Sequence, residues 1–253
     1  MAHTSETLQQ AIQQLPPLDG VSFWDKKRSE LRQAILSSSP DEFLTWSTVI
    51  STMFVGNAPY IEQELEALPA YYTVAIREPG FGKPLLHPGG SSGNLIHQAY
   101  HLYRWSLATG KSVKDMRRIV EVGGGYGAMA LLVIRLGFQG TYQIIDLPEF
   151  ALLQQYYLSN VLPGNRQIIW DRWPVECDLL IASHSLSEMP FAKRADILTG
   201  ISAKSYLLVY HCEHEGIDNL SYFAEFAASR PDYVWQGWKT EQPSNQQYLI
   251  GVR

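Results

Sequence analysis

The stretch from Val120 to Gly127 reads V-E-V-G-G-G-Y-G, an apolar run that holds one acid and then four glycines in five positions. An apolar strand followed by a glycine-rich turn is typical of nucleotide-binding α/β folds, because glycine allows a tight turn and a close approach of backbone to ligand. Gly123, Gly125 and Gly127 fit this pattern, and a helix is expected to begin near Ala128. The stretch therefore predicts a nucleotide site at the end of a buried strand.

The composition is that of a globular protein that binds small molecules. The chain has 253 residues, of which 45% are hydrophobic, so it can bury a sizeable core. Its net charge is -5 and it has no run of Lys or Arg, which argues against nucleic acid and membrane lipid as partners. We find no secretory signal pattern and no apolar stretch of roughly 18 residues. We therefore expect a cytoplasmic protein.

The first part of the chain carries mainly helical patterns. Ser39, Pro40 and Glu42 resemble a helix start with a capping box, and apolar residues from Phe43 to Phe54 recur at helical spacing. Similar stripes predict three more helices, containing Trp24, Leu31 and Ile35; Ile61, Leu65 and Leu68; and Leu95, Ala99 and Leu102. We predict a helical N-terminal cap and substrate region over residues 1–112.

From residue 113 onward, short apolar runs alternate with helical patterns. This alternation predicts a doubly wound parallel sheet over residues 113–253. The last two runs are joined by too few residues for a crossover helix, so the final strand should be antiparallel. The predicted strands are Ile119–Val122, Tyr142–Ile145, Gln167–Trp170, Asp178–Ala182, Tyr206–Tyr210, Tyr233–Trp238 and Gln247–Val252.

Two classes of ligand compete for the glycine stretch. The spacing of Gly123, Gly125 and Ala128, with Asp146 about 20 residues further on to bind a ribose diol, also fits a dinucleotide fingerprint. Glu121 lies inside the strand, however, where a buried acid needs a cation or hydrogen-bond donors and would repel a pyrophosphate. The two acids favour S-adenosylmethionine, which is cationic and has a ribose diol.

Three motifs together resemble a known family. E-V-G-G-G-Y-G, then I-I-D-L-P-E with Q-Q-Y-Y-L, then S-H-S-L-S-E-M at the end of the fourth strand, are similar to motifs of the sugar O-methyltransferases. These are a branch of the S-adenosylmethionine-dependent Rossmann-fold (class I) methyltransferases. The resemblance covers roughly residues 113–215, and the helical N-terminal part matches only loosely.

The resemblance implies a set of cofactor contacts. The glycine loop would lie under the methionine part of the cofactor, and the acid that closes the second strand would bind the ribose hydroxyls. The turn after the third strand would meet adenine, and the end of the fourth strand would add a hydroxyl. The residues at these places are Glu121, Gly123, Gly125, Tyr126, Gly127, Asp146, Leu147, Asp171 and Ser183.

Methyl transfer to a hydroxyl also needs a general base, because an alcohol is hardly ionised at neutral pH. His184 follows the fourth strand and Glu188 lies four residues later, so both are candidates for this role. His211, after the fifth strand, is a third candidate. Some sugar methyltransferases use a divalent cation, but the spacing of these residues matches no metal signature, and we expect no metal.

The acceptor site is expected near the helix that precedes the first strand. His97, His101 and Arg104 recur on one face of it, beside Tyr100, and Ser187 could add a hydrogen bond from the fourth strand's loop. We expect a small hydroxyl acceptor, such as a sugar, a glycoside or a carrier-bound intermediate, and a homodimer is compatible with the resemblance. Two alternatives stay open: an NAD(P)-dependent oxidoreductase, and a non-catalytic protein that keeps the fold to bind a partner.

Overall fold

A seven-stranded sheet is the main element of the computed structural model, which describes residues 4–170, 176–241 and 245–253. The strands are β1 (Arg118–Val122), β2 (Thr141–Ile145), β3 (Ile168–Ile169), β4 (Leu179–Ser183), β5 (Ser205–His211), β6 (Val234–Lys239) and β7 (Gln246–Val252). They lie in the order β6-β7-β5-β4-β1-β2-β3. Strands β1 to β5 pair in parallel, whereas β7 is antiparallel to both of its neighbours.

This topology confirms the predicted fold class, including the antiparallel last strand. The neighbours of β1 are β2 on one side and β4 on the other, so the strand order reverses at β1. In doubly wound sheets ligands bind at the carboxyl ends of the strands next to such a reversal. The topology therefore directs attention to the residues that follow β1, β2 and β4.

The central strands consist of near-continuous apolar runs, as expected for parallel strands that are covered on both faces. Ile119–Val122 of β1, Leu179–Ala182 of β4 and Ser205–Tyr210 of β5 are buried throughout. On one face the sheet packs against two helices, whose buried residues include Ile197, Leu198, Phe223 and Phe226.

The described residues also form ten α-helices and several shorter elements. The helices are α1 (Ser5–Gln13), α2 (Phe23–Ser37), α3 (Ser47–Thr52), α4 (Tyr60–Ala67), α5 (Tyr72–Ala75), α6 (Gly93–Thr109), α7 (Ala128–Arg135), α8 (Pro148–Val161), α9 (Phe191–Gly200) and α10 (Asn219–Ala228). The 3₁₀ turns are Pro40–Thr45, Val113–Asp115 and Ser185–Glu188. Two-residue strands are Leu86–His87, Ser91–Ser92, Glu176–Cys177, Ser202–Ala203, Glu213–His214 and Ile217–Asp218. Within the described ranges, no helix has the length and apolar character that crossing a bilayer requires.

The single helix predicted from Ser39 to Phe54 is wrong. A 3₁₀ turn, Pro40–Thr45, is separated from α3 by Trp46, whose backbone is extended (φ -71°, ψ 137°). Ser39 makes no capping bond with its side chain, and Leu44 donates its amide to the carbonyl oxygen of Gly82 at 3.0 Å. This bond to a distant loop takes the donor that a continuing helix would need, so tertiary contacts override the local pattern.

The chain divides into two compact units. The first consists of Met1–Tyr100, Gly124–Leu136 and Asp146–Arg166, and the second of His101–Gly123, Gly137–Ile145 and Gln167–Arg253. The second unit contains all seven strands, whereas the first contains most of the helices. The boundary between a cap and a sheet domain at residues 112 and 113 stays a prediction.

The first unit is held together by a buried acid on α8. Glu149 is fully buried and accepts hydrogen bonds from Nε of Arg28 at 2.7 Å and Nε of Arg32 at 2.7 Å, both on α2. Burial alone would raise the pKa of Glu149, but the hydrogen bonds from the two arginines outweigh it and lower the pKa. The helices α2 and α8 are thus joined by an ion pair that is costly to break.

Candidate active site

The glycine loop, Gly123–Gly127, follows β1 directly. Gly123, Gly125 and Gly127 have φ values of 75°, 56° and 104°, a region that residues with a Cβ rarely adopt. The amide of Gly123 donates to the carbonyl oxygen of Ile145 at the end of β2, at 2.8 Å. The loop therefore needs glycine for its backbone path, as the sequence indicated.

Gly123 is also required by its neighbour. A Cβ at this position would lie 2.8 Å from Oγ of Ser185 and closer still to the Cβ of the same residue. Ser185, in the turn after β4, donates its hydroxyl to the carbonyl oxygen of Val122. The turn after β4 thus packs directly against the first residue of the glycine loop.

Asp146 follows β2 and is tied to the same loop. One carboxylate oxygen accepts from the amide of Leu147 at 2.7 Å, and the other accepts from Nε2 of Gln154 at 2.6 Å. Nε2 of Gln154 also donates to the carbonyl oxygen of Gly125 at 3.0 Å. Burial raises the pKa of Asp146 to about 7, although these hydrogen bonds oppose the rise.

Gln154 was not among the predicted site residues. It lies on α8 within the Q-Q-Y-Y-L stretch, but nothing in the letters shows that its amide joins the glycine loop to the acid after β2. Its position becomes evident only when α8 is folded.

Glu121 is buried in β1, with 2% of its surface exposed. Its carboxylate accepts a hydrogen bond from the hydroxyl of Tyr142 on β2 at 2.8 Å. Burial and the nearby carboxylate raise the pKa of Tyr142 well above its ordinary value, so the phenol stays protonated and remains a donor. The buried acid predicted in this strand therefore has a protein donor.

Other predicted cofactor residues have varied surroundings. The side chain of Tyr126 is buried among aromatic rings, and its hydroxyl accepts from Nδ2 of Asn94 at 2.9 Å, so its backbone is the part left for a ligand. Ser183 ends β4 and its Oγ lies 3.4 Å from Nδ1 of His184. Asp171 lies outside the described residues.

Four histidines lie near one another in the second unit. We call His101, His184, His211 and His214 the histidine cluster. The ring centroids of His101 and His184 are 6.0 Å apart, those of His184 and His211 are 4.8 Å apart, and those of His211 and His214 are 6.1 Å apart. The cluster joins two predicted catalytic residues, His184 and His211, with one predicted acceptor residue, His101.

His184 has an unusual backbone. It is one of three non-glycine residues in the described ranges with positive φ, at 73°. Its amide donates to the carbonyl oxygen of Val209 on β5 at 2.7 Å, which holds this conformation at the end of β4. Strained backbone of this kind is concentrated at functional sites, where it aims a side chain that relaxed geometry would place elsewhere.

His211 and Glu188 form a pair. Nε2 of His211 lies 3.2 Å from Oε1 of Glu188, and both side chains are partly exposed, at 24% and 17%. A histidine oriented by a carboxylate, with access to solvent, is a common arrangement for a general base. The structure thus joins two of the three predicted catalytic residues.

Ser187 is fully buried between these residues. Its hydroxyl donates to the carbonyl oxygen of His184 at 2.6 Å and accepts from the amide of His211 at 3.2 Å. The hydroxyl of Ser187 thus joins the backbone of the two histidines, and its predicted acceptor contact stays a prediction.

The other predicted acceptor residues lie on α6 and have different partners. His97 is buried and its Nδ1 lies 2.9 Å from the carboxylate of Glu64. His101 is buried and its Nδ1 lies 2.6 Å from the hydroxyl of Tyr248 on β7.

Arg104 forms an ion pair with Glu241 at 2.8 Å, and Tyr100 is buried. His97 and His101 are therefore enclosed by protein rather than lying on a solvated helix face. Acceptor binding by these residues stays a prediction.

No group of three or more His, Cys, Asp or Glu residues in the described ranges is arranged to hold a metal ion. Neighbouring rings of the histidine cluster meet edge to face, tilted or stacked. The two cysteines, Cys177 and Cys212, are both free.

Comparisons with known proteins give the fold. No protein-family model and no curated protein matches this sequence. Magnesium protoporphyrin IX methyltransferase from Synechocystis PCC 6803 with bound SAM is similar in structure, with a TM-score of 0.53 and 11% identity over 93% of this chain and 99% of that one. This likeness shows that the protein has the class I methyltransferase fold.

A second solved structure is less similar. Precorrin-6y C5,15-methyltransferase from Geobacter metallireducens GS-15 gives a TM-score of 0.43 and 14% identity, over 62% of this chain and 86% of that one.

Proposed function

We propose that this protein transfers a methyl group from S-adenosylmethionine to a hydroxyl of a small molecule. The observation that carries the proposal is the pair of desolvated acids next to the glycine loop in the sequence. Glu121 is 2% exposed, and burial raises the pKa of Asp146 to about 7. The desolvated carboxylate of Asp146 favours a ligand that offers hydrogen-bond donors, and the buried acid Glu121, which is bonded to Tyr142, disfavours an anionic ligand.

The residues around the loop fit this cofactor. The ribose diol supplies two donors, which would compensate the desolvated carboxylate of Asp146. The glycine loop directly follows the strand that holds Glu121. We therefore assign the methionine end of the cofactor, with its ammonium group, to this loop. A pyrophosphate would bring negative charge to a glycine loop that directly follows the strand with the buried acid Glu121, which disfavours a dinucleotide. The similar fold of a methyltransferase with bound SAM supports the same choice.

The histidine cluster would supply the base. The bound cofactor supplies an electrophilic methyl group on a sulfonium, which is a good leaving group and needs no acid. With this cofactor bound, the acceptor oxygen would take the methyl group, the sulfur would leave as the neutral thioether of S-adenosylhomocysteine, and the hydroxyl proton would pass to a base. In our assignment Nε2–H of His211 donates to Glu188, so that Nδ1 holds the lone pair that takes the proton.

We further propose a sugar or a related small metabolite as the acceptor. The resemblance of the S-H-S-L-S-E-M segment to sugar O-methyltransferases supports this class. The net charge of -5 argues against a nucleic acid acceptor.

Calorimetry with S-adenosylmethionine, S-adenosylhomocysteine and NADH tests the cofactor assignment. We expect saturable binding of the two sulfur compounds with dissociation constants of about 1–100 μM, within the range of many enzyme ligands, and at least tenfold weaker binding of NADH. A preference for NADH would contradict the proposal and favour an oxidoreductase. An absence of binding by both sulfur compounds would also refute it.

A further inference from the structure

Arg194 on α9 is a fully buried arginine whose role the proposed chemistry does not explain. Its Nε donates to the carbonyl oxygen of Met189 at 2.7 Å, and one terminal nitrogen donates to the carbonyl oxygen of Ser187 at 2.8 Å. The other terminal nitrogen donates to Oδ1 of Asn219 at 2.6 Å. The guanidinium therefore binds three neutral oxygens, two in the turn after β4, at Ser187 and Met189, and one at Asn219 on α10.

Burying a guanidinium is costly, and its usual compensation is a carboxylate. In the described part of the chain no carboxylate pairs with Arg194, and its hydrogen bonds go to carbonyl and amide oxygens. Aromatic faces supply further compensation, because the guanidinium carbon lies 5.0 Å from the ring centre of Phe191 and 4.8 Å from that of Tyr222. An apolar residue would fill this place at lower cost, so the fork of donors is the property that the site uses.

The two carbonyl groups that Arg194 binds belong to the residues on either side of Glu188. Nδ2 of Asn219 also donates to the carbonyl oxygen of Ser187, at 3.2 Å. The hydroxyl of Ser187 in turn contacts the backbone of both His184 and His211. The backbone at Glu188 is thus fixed from both sides.

We infer that Arg194 is a positioning residue that holds the Glu188 carboxylate against His211. A carboxylate orients an imidazole only when its own backbone is fixed, and a short 3₁₀ turn supplies few internal hydrogen bonds for that purpose. The guanidinium replaces them with two bonds to the same turn. The inference rests on the proposed function for its catalytic meaning, but the contact that it explains exists without any cofactor.

The test is the titration of His211 by NMR in the free protein, with histidine labelled selectively and the signal assigned from His211→Asn. The charged and titratable groups that face this ring are Glu188, His184 and His214. Glu188→Gln defines the displacement of the His211 midpoint that results from loss of the pair. We expect Arg194→Gln to displace it in the same direction, by at least half as much.

Two further variants keep the result interpretable. Arg230→Gln is the matched control, since Arg230 also stacks on an aromatic ring, with its guanidinium carbon 3.9 Å from the ring centre of Phe226, and binds a carbonyl, but does not touch the turn. It should leave the midpoint unchanged. Arg194→Lys keeps the positive charge but cannot bind all three oxygens, so we expect it to displace the His211 midpoint by an intermediate amount. If Arg194→Gln does not fold, Arg194→Lys takes its place in the test.

The inference is overturned if neither Arg194 variant moves the midpoint while Glu188→Gln does. It is equally overturned if Glu188→Gln has no effect, since the pair would then be absent in solution. Because the titration uses no cofactor, failure of S-adenosylhomocysteine to bind would refute the proposed function and leave this result standing.

Discussion

The glycine loop and the histidine cluster are built in opposite ways. The loop is contiguous in sequence, and its three positive φ angles are requirements of the backbone itself. The cluster brings together residues from α6, from the ends of β4 and β5, and from the short strand Glu213–His214, and Tyr248, which binds His101, is 147 residues further along the chain. The geometry of the loop can thus be encoded locally, whereas the histidine cluster depends on the topology of the sheet.

The largest effect is expected for a variant of His211, which should change the rate of methyl transfer without changing the affinity for the cofactor. His211→Asn should lower the rate of methyl transfer by about 10²–10⁴-fold, because it removes the group that we propose as the general base. Transfer of radiolabelled methyl groups to a panel of sugars and glycosides measures this rate. Calorimetry should show that S-adenosylhomocysteine binds within twofold of the wild-type affinity. Unchanged turnover in His211→Asn and in Glu188→Gln would contradict the assignment and favour a non-catalytic role for the cluster.

The second-largest effect is expected at Gly123 of the glycine loop, where Ser185 leaves no space for a side chain. Gly123→Ala should weaken S-adenosylhomocysteine binding by about 100-fold or more and destabilise the fold by about 2–4 kcal/mol, since it combines positive φ with an overlap on Ser185. Calorimetry and thermal melting measure the two losses.

Gly164→Ala is the control for this experiment. Its φ is 78°, but a Cβ there would have no atom within 4 Å. We expect it to cost about 1 kcal/mol from backbone strain alone and to leave binding unchanged. If both alanines have the same effect, the packing of Ser185 against the loop is not the reason for Gly123.

The third effect is pH-dependent. Because burial raises the pKa of Asp146 to about 7, the free protein gains stability from this group at low pH and loses it as the pH rises from about 4 to about 7. If the ionised form of Asp146 accepts hydrogen bonds from the ribose hydroxyls, as we propose, S-adenosylhomocysteine should bind about tenfold more tightly at pH 8 than at pH 6.

Asp146→Asn should remove both dependences. Calorimetry should show an affinity that is lower by about 10-fold at pH 8 and nearly flat with pH, and thermal melting should show higher stability than the wild type at pH 8. An affinity of the wild type that does not change between pH 6 and pH 8 would show that Asp146 is already ionised in the free protein.

Much of the fold could be predicted from periodicity. The seven strands of the main sheet were each predicted within a few residues, because buried parallel strands form apolar runs that turn residues interrupt. The segment around Trp46 could not be predicted, because its helix is interrupted by a hydrogen bond between Leu44 and Gly82, which are far apart in sequence. Helix α1 was also missed, since residues 5–13 contain few apolar positions to mark a stripe.

In the candidate site, too, local patterns could be predicted from the sequence and contacts between distant residues could not. The glycine loop and Asp146 have a spacing that a motif can capture. The supporting residues Gln154, Tyr142 and Arg194 act through hydrogen bonds to residues 5 to 29 positions away in the chain, and no pattern of residue types in the sequence predicts these bonds. His211 was predicted as a site residue only because it follows a strand. Its pairing with Glu188 could not be predicted, because it depends on the parallel register of β4 and β5.

The buried Glu149 has a consequence for the order of folding. Its partners Arg28 and Arg32 lie 121 and 117 residues earlier in the chain, so closing this ion pair requires a long loop to form first. During synthesis α2 would therefore leave the ribosome well before the acid that neutralises its arginines, and the first unit cannot complete its packing until α8 has been made. Within the first unit, the slow step in folding is expected to be the packing of α8 against α2, rather than the formation of the helices themselves.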